Sequence, residues 1–211
     1  MYNPPAFRDD DRESLFATIR AARLGLLVSA GAEGEVPDAT HLPMALAPDE
    51  GSHGTLYGHF AKANPHWRSL QRAGRARAIF SGPDTYVSPS LYPSKKEHGR
   101  VVPTWNYIAV HALGTVEVFE DPGRLHALVS RLTDMHEAPR AERWAVTDAP
   151  EDFVRSQLKG IVGIVLRIET LIGKRKLSQN RAAGDREGVR LGLAASPDRR
   201  DAAVAEAMRQ D

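Results

Sequence analysis

Strand-forming runs dominate this chain, and helical signals separate only some of them. Apolar or alternating stretches at residues 24–30, 36–46, 55–60, 75–81, 86–88, 101–119 and 161–168 read as strands bounded by Gly, Pro, Asn or Asp. Pro43 marks an edge or bulge in the second of these, and Gly114 a bulge or bend in the long 101–119 stretch. Residues 31–35 read as a turn. Helical spacing falls at residues 10–23, 64–74, 121–135, 151–159 and 199–210. Asp10 with Glu13 reads as a capping box, Asn64-Pro65 as a cap with proline at the first helical position, and Asp121-Pro122 as another helix start. Leu125, Leu128, Val129, Leu132 and Met135 line one face of the helix that follows. Strict strand–helix alternation, the mark of a doubly wound parallel sheet, is absent. About six or seven strands with helices between some of them point to an α+β, mainly β architecture: a β-barrel with peripheral helices.

Composition narrows what such a chain does. Its 211 residues suffice for one substantial core, or one domain with a helical appendage. A net charge of +1, from 28 basic and 27 acidic residues, gives no global pull toward nucleic acid or anionic membrane. The absence of cysteine excludes disulfides, thiolate nucleophiles and cysteine metal sites. No apolar run approaches the length of a membrane span, and Met1-Tyr-Asn-Pro-Pro lacks the pattern of a signal peptide, so a soluble cytoplasmic protein is expected.

Four segments carry polar chemistry. In Gly58-His-Phe-Ala-Lys-Ala-Asn-Pro-His-Trp67, Lys62 and the helix start at Asn64 suit an anion; the same residues also serve as a plain cap and a solvated lysine. Tyr86-Val-Ser-Pro-Ser90 and Val102-Pro-Thr-Trp-Asn-Tyr107 gather Ser88, Ser90, Thr104, Asn106 and the ring of Trp105. Uncharged donors beside an aromatic face suit a flat, hydrogen-bonding heterocycle such as a flavin nucleotide, and a Ser/Pro turn over a core tryptophan is the alternative. Lys174-Arg-Lys-Leu-Ser-Gln-Asn-Arg181 reads first as a solvated basic segment, and otherwise as a cofactor contact or a local nucleic-acid patch. His41 and His59 read as strand histidines, since no metal-ligand spacing accompanies them. The chain has no GxGxxG, Walker or GxSxG motif.

Six motifs in order, Asn3-Pro-Pro-x-Phe7, Ala39-Thr-His-Leu-Pro43, Gly58-His-x-Ala-Lys-Ala-Asn-Pro65, Tyr86-Val-Ser-Pro-Ser90, Val102-Pro-Thr-Trp-Asn-Tyr107 and Lys176-Leu-Ser-Gln-Asn-Arg181, resemble the PaiB family of FMN-binding negative transcriptional regulators. The resemblance implies a split β-barrel like that of pyridoxamine phosphate oxidases and flavin reductases, and a homodimer that binds FMN at its interface. It places His41, His59, Lys62 and Asn64 among the cofactor contacts, the last two toward phosphate or ribityl. It gives Ser88 and Ser90 to the ligand at a strand end, Thr104, Trp105 and Asn106 to the isoalloxazine, and Gln179 and Arg181 to completing the pocket, in one arrangement from the other subunit. The implied domains are residues 1–181, the FMN-binding barrel, and 182–211, a C-terminal helical extension packed on or near it. Three functions stay open: a flavin-dependent regulator, a flavin-dependent oxidoreductase with indirect regulatory effect, and a haem-handling split barrel using His41, His59 or His111. Direct DNA binding finds no helix-turn-helix with a basic recognition helix to support it.

Overall fold

Alternating burial along most strands and carboxylate caps at some helix starts accompany the elements seen in a computed structural model, which describes residues 1–31 and 36–209. Residues 32–35 of the expected turn, and Gln210 of the expected last helix, lie outside the described residues. The chain divides into two compact units. The larger comprises Ile19–Phe80 and His111–Leu171; the terminal unit comprises Met1–Thr18, Ser81–Val110 and Ile172–Asp211.

In the larger unit, β2 (Gly25–Ser29) pairs antiparallel with β3 (Asp38–Leu42) on one edge and with β6 (Arg75–Val87) on the other. β4 (Ala45–Ala47) pairs with β5 (Thr55–Ala61), and β5 pairs along its whole length with β8 (Ile161–Lys176). β7 (Thr104–Phe119) lies between β6 and β8 in the sheet order β3-β2-β6-β7-β8-β5-β4, and β6, β7 and β8 contribute residues to both units. Among the described residues this path has two ends, β3 and β4, so the sheet does not close.

Pro43, which has no N–H to give a ladder, divides the run expected at 36–46 into β3 and β4. Helix α4 (Pro122–Glu137) starts where expected, with the Asp121 carboxylate accepting the Arg124 N–H at 2.8 Å. Leu125, Leu128 and Leu132 of α4 pack with Ala45, Phe119, Val165 and Leu158, the last from α5 (Glu151–Leu158). Met135, expected on the same face, is 42 % exposed. Gly114 sets the spacing of β7 against β8: a Cβ there would lie 1.8 Å from the Arg167 carbonyl oxygen.

In the terminal unit, β1 (Arg8–Asp9) pairs with the end of β8, Arg8 opposite Lys174. The cap of α1 (Arg12–Ala21) is Asp11 rather than Asp10, its carboxylate accepting the Ser14 N–H at 3.0 Å. The expected break between residues 81 and 86 does not occur. β6 runs on through Gly82 and Pro83, because Gly82 lets the strand lie against Ile108, whose Cβ would be 2.9 Å from an added Cβ. β8 likewise extends past residue 168, so Lys174 and Lys176 are strand residues and not part of a polar tail.

Helix α6 (Ala183–Ala194) falls within the helical extension that the resemblance implies at 182–211, although residue spacing marks no helix there, because Gly184, Gly188 and Gly192 suppress its helical signal. Two of those glycines admit the chain before α3 (Ser94–His98): a Cβ on Gly188 would come within 2.5 Å of the Leu91 carbonyl oxygen, and one on Gly192 within 2.4 Å of the Leu91 side chain. Val189 and Leu193 of α6 join Val204 and Met208 of α7 (Arg199–Arg209) and Val87, Tyr92, Ile108 and Leu177 in a single core.

His111, on β7 in the larger unit, gives a pH prediction. Its Nδ1 is buried without a partner among the described residues. Burial first, and the Arg77 guanidinium second, push its pKa down from 6.5 to about 4. Between those values the unfolded chain takes up a proton that the folded chain refuses, so stability falls as pH drops from about 6.5 toward 4. His111→Gln will flatten that decline, read as urea midpoints at pH 7 and pH 5; an unchanged slope refutes the assignment.

Candidate functional site

The turn from β5 into α2 (His66–Ala73) is built by bonds to the Lys62 backbone and the Asn64 carboxamide, with the Lys62 side chain exposed. The Lys62 N–H donates to the Gly160 carbonyl at 2.8 Å, and the Lys62 carbonyl accepts the Trp67 indole N–H at 3.0 Å. Asn64 Oδ1 accepts the His66 N–H at 3.0 Å, closing the first turn of α2, and Asn64 Nδ2 donates to Thr40 Oγ1 at 3.3 Å. The Lys62 ammonium, half exposed, pairs with Glu120. An exposed pair of this kind is worth about 0–1 kcal/mol, so an anion can displace the carboxylate at little cost.

His66, not singled out from sequence, is the best-anchored polar side chain of this turn. Its ring is buried, with Nε2 3.0 Å from Ser29 Oγ and Nδ1 2.7 Å from Thr40 Oγ1. Burial lowers its pKa, against an opposing effect of Asp38, so it stays neutral and holds β2 and β3 to α2. His41 is exposed on β3. His59 is half-buried on β5, with Nδ1 unpartnered among the described residues and its pKa lowered by burial. Among the described residues no group of three or more His, Asp or Glu is gathered to hold a metal.

The remaining expected residues lie in the terminal unit. Ser88 Oγ accepts the Ser90 N–H at 3.2 Å and shares a hydrogen bond with Ser90 Oγ at 2.7 Å, which fixes the turn at the end of β6. Trp105 is 53 % exposed and meets Tyr86 edge to face, the ring centroids 6.1 Å apart. Thr104 Oγ1 accepts a hydrogen bond from Lys176 Nζ at 2.5 Å, and the Trp105 carbonyl accepts another from the same ammonium.

Asn106 is fully buried and exchanges hydrogen bonds of 3.0 and 3.1 Å with Ser178 Oγ. Gln179 also turns inward: its Oε1 accepts the Leu177 N–H and its Nε2 donates to the Arg175 carbonyl, both at 2.7 Å. These two amides therefore hold the strand ends in place, with Ser178 at φ +67, while Trp105 and Ser90 face solvent. Arg181 lies 5.0 Å from the ring centroid of Tyr92. Lys176 escaped the sequence reading as an individual because it sits inside a basic run. The signal was its two-residue spacing from Lys174, which has meaning only once the segment is known to be strand.

Residues 1–170 match the family described as "Putative FMN-binding domain". Among curated proteins, "Protease synthase and sporulation protein PAI 2" of Bacillus subtilis is 32% identical over 88% of this chain and 85% of its own length. An uncharacterised protein of Aspergillus fumigatus is 35% identical over 81% of this chain and 82% of its own. Among solved structures, the FAD and haem binding protein of Mycobacterium smegmatis superposes with a TM-score of 0.61 at 18% identity, over 85% of this chain and 78% of its own. A flavocytochrome of Azotobacter vinelandii gives 0.57 at 16% identity, over 80% and 69%. At such identities the structures speak to fold alone, and the fold is the split barrel of the pyridoxamine phosphate oxidase type, with its sheet left open. Sequence likeness over most of both chains carries the rest: this chain belongs to the PaiB family of FMN-binding proteins.

Proposed function

We propose that this protein holds FMN and works in the cytoplasm as a flavin-loaded homodimer that negatively regulates transcription. The observation that carries the flavin reading is the Lys62–Asn64 turn inside a chain whose first 170 residues match an FMN-binding family. The residues present fit the cofactor. Lys62 offers an ammonium held only by an exposed, displaceable carboxylate, which suits a phosphate. In the terminal unit, Trp105 offers an exposed indole face, and Ser88, Ser90 and Thr104 offer uncharged hydroxyls, which suit a heterocycle. Asn106 and Gln179 act by holding these groups in position. When bound, the isoalloxazine supplies hydride or electron transfer, so no side chain need be a nucleophile.

A second reading, a flavin-dependent oxidoreductase whose regulatory effect is indirect, is favoured by the C-terminal helices. Arg209 pairs with Glu206 on α7, Arg200 with Asp198 just before it, and Arg190 with Glu187 on α6. Arginines neutralised in this way do not form the basic recognition surface that direct DNA binding requires.

The test is FMN titration of the purified chain followed by its visible spectrum. Uptake in stoichiometric amount is expected. Lys62→Met and Trp105→Ala will each weaken binding about tenfold or more, for loss of a charged hydrogen bond or a stacking face, with melting curves unchanged. Failure of the unaltered chain to bind FMN overturns the flavin reading, and unchanged affinity in both variants overturns the placement of the contacts.

A further inference from the structure

One face of the terminal unit's sheet carries two lysines with no counter-ion among the described residues. Lys174 and Lys176 alternate along β8 and so project to the same side. Lys174 is only 5 % exposed. Its Nζ donates to the Tyr2 carbonyl at 3.0 Å and lies 5.5 Å and 5.2 Å from the ring centroids of Tyr2 and Tyr107. Lys176 Nζ donates to Thr104 Oγ1 and to the Trp105 carbonyl, with the Phe7 ring centroid 5.9 Å away.

Neither ammonium forms an ion pair among the described residues, and Lys174, Lys176 and Thr104 have no further partner beyond these. Asp9, whose strand pairs with this end of β8, has its carboxylate engaged by the Asp11 N–H at 3.0 Å and the Ser14 hydroxyl at 2.6 Å.

This arrangement is costly unless something anionic completes it. A buried ammonium without a carboxylate loses hydration that one carbonyl and two aromatic faces replace only in part. Two like charges on one strand face raise the cost. Burial first, then the charges of Lys174 and Arg181, lower the proton affinity of Lys176. The same face presents flat aromatic surface: the rings of Tyr2, Tyr107 and Phe7 that stand beside the two ammonium groups.

We infer that Lys176, backed by Lys174, is the anion-binding element of a second ligand subsite, which takes a small planar aromatic or heteroaromatic molecule bearing a phosphate or carboxylate. The inference deepens the flavin reading, since such a molecule is the reaction partner or effector that a bound flavin would meet. The lysine pair belongs to the terminal unit, and the Lys62 turn, to which the flavin phosphate is given above, belongs to the larger one.

The experiment is calorimetric titration of the FMN-saturated full chain with phenyl phosphate, benzoate and benzyl alcohol. Phenyl phosphate and benzoate are expected to bind and benzyl alcohol not to. Lys176→Met will weaken phenyl phosphate about tenfold or more, a larger loss than it causes in FMN affinity, and Lys176→Arg will retain binding. Should the methionine variant fail to fold, Lys176→Gln takes its place. Three results overturn the inference: equal binding of benzyl alcohol, unchanged phenyl phosphate affinity without the lysine, or displacement of phenyl phosphate by FMN, which would give the lysine to the flavin's own phosphate. If the unaltered chain takes up no FMN, the flavin reading fails, and the same titrations on the chain alone still decide whether the anion subsite exists.

Discussion

Alanine at position 114 will unfold the larger unit under conditions where the parent chain is folded. The added methyl would lie 1.8 Å from the carbonyl oxygen of Arg167 and 2.7 Å from its carbonyl carbon. Both are backbone atoms of β8, so no side chain can swing aside, and relief requires β7 and β8 to part. Overpacking a well-filled core costs about 1–3 kcal/mol, and a backbone clash of this depth belongs at or above the upper end. Urea unfolding will show the loss. Gly184→Ala is the control: nothing lies within 4 Å of a Cβ there, and an alanine in α6 should gain up to about 1 kcal/mol. A Gly114→Ala chain as stable as the parent would mean that β7 and β8 are not spaced as described.

Asn106→Leu will be nearly as damaging, for a different reason. The carboxamide is fully buried and its hydrogen-bonding partner is Ser178, so leucine leaves a buried hydroxyl without a mate and crowds Met208, whose sulfur lies 3.6 Å from Asn106 Nδ2. A loss of about 2–4 kcal/mol is expected. The pairing itself is tested by adding Ser178→Ala. Removing the orphaned hydroxyl should restore part of the loss, because replacing both partners of a buried bond costs less than replacing one. Strict additivity of the two changes would show that the bond contributes nothing. Since Asn106 follows Trp105 on β7, the double variant also reads how far the indole's position depends on this buried pair.

Both sites show why part of this molecule could be read from its residues and part could not. The helix starts at Asn64 and Asp121 were legible because a capping side chain acts within three residues of itself. Strands such as β2 and β4 were legible because burial on one face imposes a two-residue period, and β8 because it is a buried apolar run. Local signals failed where distant packing decided the outcome. Gly82-Pro83 reads as a break, yet the strand continues because Ile108 occupies the space a side chain would need. Helix α6 carries glycines that argue against it, yet it forms because they let Leu91 and Pro93 approach.

The candidate site divides in the same way. Lys62, Ser88, Ser90 and Trp105 were marked by residue type, and each presents polar or aromatic surface that a ligand can use. Asn106 and Gln179 are of the right type but face inward, a distinction that depends on Ser178, Leu177 and Arg175. His66 and Lys176 went unmarked because their partners, Ser29 and Thr40 for one and Thr104 for the other, are far off in the chain.

The turn at Lys62 has an evolutionary corollary. Its amide and carbonyl are taken by Gly160 and Trp67, groups that have no part in what the ammonium holds. Any residue with an N–H therefore inherits the same backbone course, and a change of side chain resets the charge offered at this corner without remaking it. Ligand preference at position 62 is thus free to drift while the architecture around it stays under separate selection.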